Sequence, residues 1–76
     1  MTPDLVLDCR GMRCPLPVIE LARQIEAVGI GGVVAVVADD PAAAVDIPAW
    51  CRLRAHDYVG AGDPVDGIPS FLVRRR

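Results

Sequence analysis

The six residues Val33-Val34-Ala35-Val36-Val37-Ala38 constrain this chain more than any other stretch. The run is apolar and rich in β-branched side chains, which suit a pleated surface. It is bracketed by Gly29-Ile30-Gly31-Gly32 on one side and Asp39-Asp40-Pro41 on the other. An apolar run without alternation is the pattern of a strand deep in a sheet, as where parallel neighbours are joined by helices. The run therefore predicts a central strand. With Ile30 included it is still far shorter than the roughly 20 apolar residues a membrane helix needs.

The rest of the chain is placed around that strand. Leu5-Val6-Leu7-Asp8 predicts a short first strand. A helix is predicted from Cys14-Pro15, with Val18, Leu21, Ala22, Ile25 and Val28 recurring at helical spacing and Glu20, Arg23, Gln24 and Glu26 on the other side. Proline suits the first helical position, where its missing N–H had no partner. Gly29, Gly31 and Gly32 end the helix. Strand, helix and strand in this order make the central strand parallel to the first. Asp40-Pro41 and Asp46-Ile47-Pro48 are two further helix starts, with aspartate as N-cap and proline next. They predict one short turn and then a helix to about Ala55. Ile47, Trp50, Cys51 and Arg54 share its stripe, with Trp50 as the expected anchor. Tyr58–Ala61 and Phe71–Arg74 predict an antiparallel hairpin, its turn marked by Asp63-Pro64 and Asp66-Gly67.

The expectation is a single α/β (α+β) domain over 1–76, ordered β-α-β-α-β-β. It is a two-layer sandwich, a mixed four-stranded sheet with two helices on one face, because such crossovers are right-handed. The other face is expected to be open and to expose one row of the central strand, as a partner or dimer surface. A domain of this size buries only roughly 60% of its unfolded surface. Its core is thin, with little room for a deep active site.

Composition narrows function. Apolar residues make up 53% and charged residues 24%, which excludes a disordered chain. The net charge of −2 argues against direct nucleic-acid binding, which depends on neutralising phosphates. Every basic side chain is arginine. Arg74-Arg75-Arg76 reads as a solvated end, or alternatively as a docking patch for an acidic partner. Met1-Thr2-Pro3-Asp4 has neither a basic segment nor an apolar run, so a cytoplasmic protein without membrane contact is expected. The odd count of three cysteines, Cys9, Cys14 and Cys51, argues against a disulfide framework and for at least one free thiol.

The informative stretch is Cys9-Arg10-Gly11-Met12-Arg13-Cys14-Pro15-Leu16-Pro17. Gly11 supplies an unusual backbone angle for the turn after the first strand. Placed at the N-cap, Cys14 would meet free N–H groups and the positive end of the helix dipole. Arg13 and Arg10 are near in sequence. Such a setting lowers a thiol pKa and favours the thiolate or a persulfide anion. Pro15 and Pro17 stiffen the first turn and hold the sulfur outward. Cysteine is a poor cap compared with Ser, Thr, Asp or Asn, so chemistry explains its place better than structure does.

Other readings compete. Cys9-x4-Cys14 and Cys51-x4-His56 supply a Cys₃His set for a zinc-stapled interaction domain. Cys9 and Cys14 also suit a thiol redox regulator. Cys51 reads as a buried core thiol, and His56 as a cation at a helix C-terminus. Asp39-Asp40 resembles a metal-binding pair but is explained by helix capping. The glycines 29–32 precede a strand, whereas a phosphate-binding glycine loop follows one.

The sequence resembles the TusA/SirA-like sulfur carriers. The resemblance is carried by Asp8-x-x-Gly11-x-x-Cys14-Pro15-x-Pro17, then by Asp39-Asp40-Pro41, Asp46-Ile47-Pro48-Ala49-Trp50-Cys51 and His56, and spans nearly the whole chain. It implies the same β-α-β-α-β-β sandwich and a persulfide on Cys14, with no cofactor. It implies a donor such as a PLP-dependent cysteine desulfurase or a rhodanese-type protein, and an acceptor protein in a sulfur relay. Such relays serve tRNA 2-thiouridine synthesis, molybdenum-cofactor synthesis or sulfur oxidation. Members serving tRNA thiolation often carry an acidic residue between the two prolines, where this chain has Leu16. Leu16 and Met12 are the expected partner contacts, and the carrier is expected to be a monomer or weak dimer.

Overall fold

A computed structural model describes residues 2–76. The apolar run forms β2 (Val33–Val37), and all five of its residues are buried. Beside it lie β1 (Leu5–Asp8) on one edge and β4 (Ser70–Arg74) on the other, with β3 (Asp57–Ala61) outside β4. The sheet order is β1-β2-β4-β3. β1 and β2 are parallel, Leu5 opposite Val34 through Asp8 opposite Val37. The pairs β2–β4 and β3–β4 are antiparallel.

The crossover from β1 to β2 carries α1 (Leu16–Gln24), followed by a 3-10 turn at Ile25–Ala27. α2 (Ala43–Arg54) links β2 to β3. Both helices pack on one face of the sheet. Leu21 and Ile25 from the first crossover and Ala43, Ile47 and Cys51 from α2 meet Leu7, Val34, Val36, Phe71 and Val73. The predicted sandwich, with its β-α-β-α-β-β element order and mixed four-stranded sheet, is therefore what forms.

The other face of β2 is not exposed as expected. Val33, Ala35 and Leu72 form a second buried cluster there. The segment 62–65, after β3, borders that face, and Ser70 Oγ donates to the Asp63 carbonyl at 2.8 Å. Between segment and sheet lies a shallow cleft of about 190 Å³, lined by Pro3, Val6, Ala35, Pro64 and Leu72 among others.

The helix starts differ from the sequence reading. α1 begins at Leu16, with Pro15 at the N-cap and no side-chain cap. A residue that precedes proline is pushed out of the helical region, and Cys14 precedes Pro15. α2 is one continuous helix with Pro48 inside it, rather than a short turn and a second start. Pro48 lies in the second turn, so only one helical bond is lost. Ile47 and Cys51, at 0% and 1% exposure, anchor α2, while the expected anchor Trp50 is half-buried and stacks on His56. Ala55 closes α2 in the left-handed region, φ 59°.

The β3–β4 connection contains the predicted tight turn. Val65 and Ile68 exchange two 2.9 Å backbone hydrogen bonds. Asp66 and Gly67 between them have φ of 51° and 77°, the two positive angles of a type I′ turn. No helix among the described residues is long and apolar enough to cross a membrane.

Candidate functional site

β1 and β2 run parallel as neighbours, so the segments that follow them emerge side by side. In open α/β sheets the crevice beyond such carboxyl ends is where sites form. Here residues 9–15 leave β1 and residues 38–42 leave β2, and hydrogen bonds lace the two together. Cys9 N–H donates to the Val37 carbonyl at 2.8 Å. Gly11 N–H donates to both carboxylate oxygens of Asp39, each at 3.1 Å. Cys14 N–H donates to Asp40 Oδ2 at 3.0 Å, while Asp40 Oδ1 accepts from Ala42 N–H at 3.0 Å. Asp40 thus does its capping work before α2 with one oxygen and fixes the cysteine segment with the other. Those two N–H donors hold its carboxyl below the usual range, Ala42 first and Cys14 second. Gly11, at φ 77°, makes the turn that brings the chain back toward β2.

This places Cys14 just ahead of α1, half-buried, with its side chain packed against the main core. The charged groups that act on its thiol are the carboxylates of Asp46, in the first part of α2, and of Asp40. Burial first, then the Asp46 carboxylate and the charge of Asp40, push the thiol up to about 11. The sequence predicts the reverse, a lowered pKa, and the structure corrects it for two reasons. Cys14 stands outside the helix tip rather than at its N-cap. The arginines are also spent elsewhere. Arg10 grips Asp8 through two 2.8 Å bonds and reaches Asp66 at 3.3 Å, and its guanidinium holds the Asp8 carboxyl down to about 2. The charge of Arg13 acts on Asp40. Neither arginine raises the thiolate population of Cys14, and Asp8 serves to hold Arg10.

The remaining predicted residues divide clearly. Pro15 is exposed and Pro17 buried, so the second proline locks the first turn of α1 to the core. Leu16 is 50% exposed beside the thiol and Ile19 42%, which leaves an apolar rim on α1. Met12 is half-buried and packs against the core, so it is a weaker contact residue than Leu16.

Cys9 and Cys51 are fully buried and free. Burial raises both thiols, that of Cys51 to about 11. The proposed zinc set is not assembled. Among the described residues no three His, Cys, Asp or Glu side chains gather as a metal site. His56 lies past the C-terminal end of α2, stacked on Trp50 at 5.3 Å and accepting Arg76 N–H on Nδ1 at 3.1 Å. The Cys9–Cys14 pair is likewise unbonded, with Cys9 in the core.

Three site residues escape sequence reasoning: Asp39, Asp40 and Asp46. The first two carry a usable signal. They directly follow the central strand, whose parallel neighbour runs into Cys9–Cys14, so topology alone sets the two segments together. Asp46 reads from sequence as a helix start and as part of the block that carries the resemblance, with no role at the thiol.

With this geometry in view, the comparisons with known proteins are decisive on family. The model of the family described as sulfurtransferase TusA matches residues 5–75. The crystal structure of a SirA-like protein from Desulfitobacterium hafniense superposes with a TM-score of 0.77, at 21% identity, over 92% of this chain and 95% of that one. That likeness establishes the shared fold. The family match spans both the cysteine segment and the aspartates that hold it, and the chain belongs to the TusA sulfurtransferase family, whose members act as sulfur carriers with partner proteins.

Proposed function

We propose that Cys14 carries sulfur as a persulfide, taken from a donor protein and passed to an acceptor. The observation that supports this best is accessibility. Of three free thiols, two are sealed in the core, and Cys14 alone stands at the edge of the site. It sits beside exposed Leu16, on a segment whose backbone is fixed by two aspartates.

The transfer balances without a cofactor. The Cys14 sulfur attacks the terminal sulfur of the donor persulfide. A new S–S bond forms as the donor S–S bond breaks. The donor leaves as a thiol, carrying the proton that Cys14 gives up. A second exchange of the same kind then delivers the sulfur to an acceptor cysteine. Only the thiolate is a competent nucleophile, so a thiol raised to about 11 reacts when a partner reshapes its surroundings. The apolar rim at Leu16 and Ile19 is the contact that excludes water during transfer.

The donor is a cysteine desulfurase or rhodanese-type protein, and the protein works in the cytoplasm as a monomer or weak dimer. Of the family relays, molybdenum-cofactor synthesis and sulfur oxidation suit Leu16 better than tRNA thiolation does. The test is intact mass spectrometry after incubation with a cysteine desulfurase and cysteine. Wild type should gain a reductant-labile sulfur that Cys14→Ser lacks. An undiminished adduct in that variant would falsify the assignment.

A further inference from the structure

The cations of this chain collect at the end of the molecule away from Cys14. Arg23 stands in the last turn of α1, and Arg52 and Arg54 in the last turn of α2. The two helix ends lie together, since Ala22, Ile25 and Glu26 of the first crossover share a cleft of about 280 Å³ with Trp50, Arg54 and His56. The tail leaves β4 at the same end. The Arg75 guanidinium donates to the Val28 carbonyl at 2.7 Å, and Arg76 N–H donates to His56 Nδ1 at 3.1 Å. Six of the eight arginines are thus at this end, against Asp4, Glu26 and Asp57. Asp57 is paired with Arg76, and Asp4 accepts the Val33 N–H. Arg23, Arg52 and Arg54 form no ion pair among the described residues. The two most exposed large apolar side chains among the described residues are here as well. Leu53 is 78% exposed between Arg52 and Arg54, and Ile30 is 81% exposed in the loop whose Gly31 N–H donates to the Arg75 carbonyl.

We propose that this end is a second docking surface, which takes an acidic partner segment carrying apolar side chains and so holds the protein by the end away from Cys14. Three arginines without carboxylate partners give the charge that such a segment complements. Leu53 and the aliphatic side of the cleft give apolar contact, with Trp50 held as a wall by its stack on His56. Cys14 precedes the start of α1, and Asp40 ties its backbone to the start of α2. The twelve residues of α2 rise about 18 Å from that end to this one. A short segment bound here therefore leaves the thiol uncovered. The mixture of unpaired cations and exposed aliphatics favours a protein partner over a uniform polyanion, and Glu26 on the cleft wall opposes a dense run of phosphates. The surface is independent of the chemistry assigned to Cys14; a carrier held at this end keeps its thiol free to meet a donor or an acceptor.

The experiment titrates isotope-labelled protein with a short synthetic peptide of glutamate interspersed with leucine and phenylalanine, and follows backbone amide shifts. Saturable shifts should gather at the last turns of α1 and α2, at residues 28–32 and at 74–76, and leave residues 9–15 still. Arg52→Gln combined with Arg54→Gln removes two exposed charges and should weaken the peptide about fivefold. Leu53→Ser should weaken it about tenfold through lost apolar contact. Glu26→Gln should tighten it about twofold, because an opposing charge is gone. All four side chains are exposed, so the variants should fold as wild type does. Binding should also weaken as salt rises. Shifts that scatter or never saturate, shifts centred on residues 9–15, or equal affinity in the charge-removed variant overturn the proposal. Tighter binding to phosphatidylglycerol vesicles or to a single-stranded oligonucleotide than to the peptide assigns the patch to a different polyanion and overturns it as well.

Discussion

A small disulfide probe tests the electrostatics of Cys14 directly. Cys9 and Cys51 are 0% and 1% exposed, so the native protein should consume one equivalent of probe, at Cys14. Moving its thiol from the ordinary 9.0 to about 11 leaves far less thiolate at neutral pH. The thiolate fraction should fall about a hundredfold, while the more basic thiolate regains roughly six- to tenfold in intrinsic nucleophilicity. The net expectation is exchange about tenfold slower than for a single-cysteine peptide of ordinary acidity. The sign also fixes the pH profile. Burial and neighbouring carboxylates favour the protonated form, so the rate should keep climbing through about pH 10, where the peptide has already levelled off. A stopped-flow series from about pH 6 to pH 10.5 on the native protein, with Cys14→Ser as blank, gives both quantities. A rate equal to or above that of the peptide, or a plateau below about pH 9, would refute the surroundings assigned to the sulfur and restore the helix-tip reading.

Other perturbations probe the frame that holds the site. Leu21→Ala empties a fully buried position between α1 and the sheet. It should cost about 3 kcal/mol, seen as a melting temperature lower by roughly 12–24 °C in a domain of this size; a drop of only a few degrees would contradict the packing. Gly67→Ala puts a side chain at φ 77° in the type I′ turn and should cost about 1 kcal/mol in urea unfolding. An added Cβ at Gly32 would lie 2.8 Å from the Gly29 carbonyl oxygen and 2.9 Å from Val28 Cβ. Gly32→Ala should therefore destabilise by about 1–3 kcal/mol; an unchanged unfolding midpoint would show that the turn yields. Arg10→Ala should leave sulfur loading of Cys14 within about twofold of wild type, since Arg10 is held by Asp8 and Asp66; a large loss would return Arg10 to the reactive group.

What could be read from sequence was whatever one segment decides for itself. Val33–Val37 announces a buried strand because every residue in it is apolar, and its glycine and aspartate borders leave no other length. Asp66-Gly67 announces its turn because few residue pairs accept two positive φ angles. The placing of both helices on one face follows from the crossovers by handedness. The failures share a different cause. The start of α1 lies one residue later than the sequence predicts because Pro15 suits both N1 and the N-cap, and the restraint it places on Cys14 weighs less in a propensity argument than in a real chain. That small slip moves the sulfur off the helix tip and removes the dipole from the argument. The larger omission is Asp46, 32 positions beyond Cys14 in a helix of its own. Local sequence shows two arginines near the cysteine and suggests a cationic setting. The folded chain shows instead that Arg10 is taken by Asp8 and Asp66, and that the charges acting on the thiol are the carboxylates of Asp46 and Asp40. Proximity in sequence is therefore a poor guide to charge at this site, because a parallel crossover fills the crevice with residues from both strand ends, and the later segment decides which sign prevails.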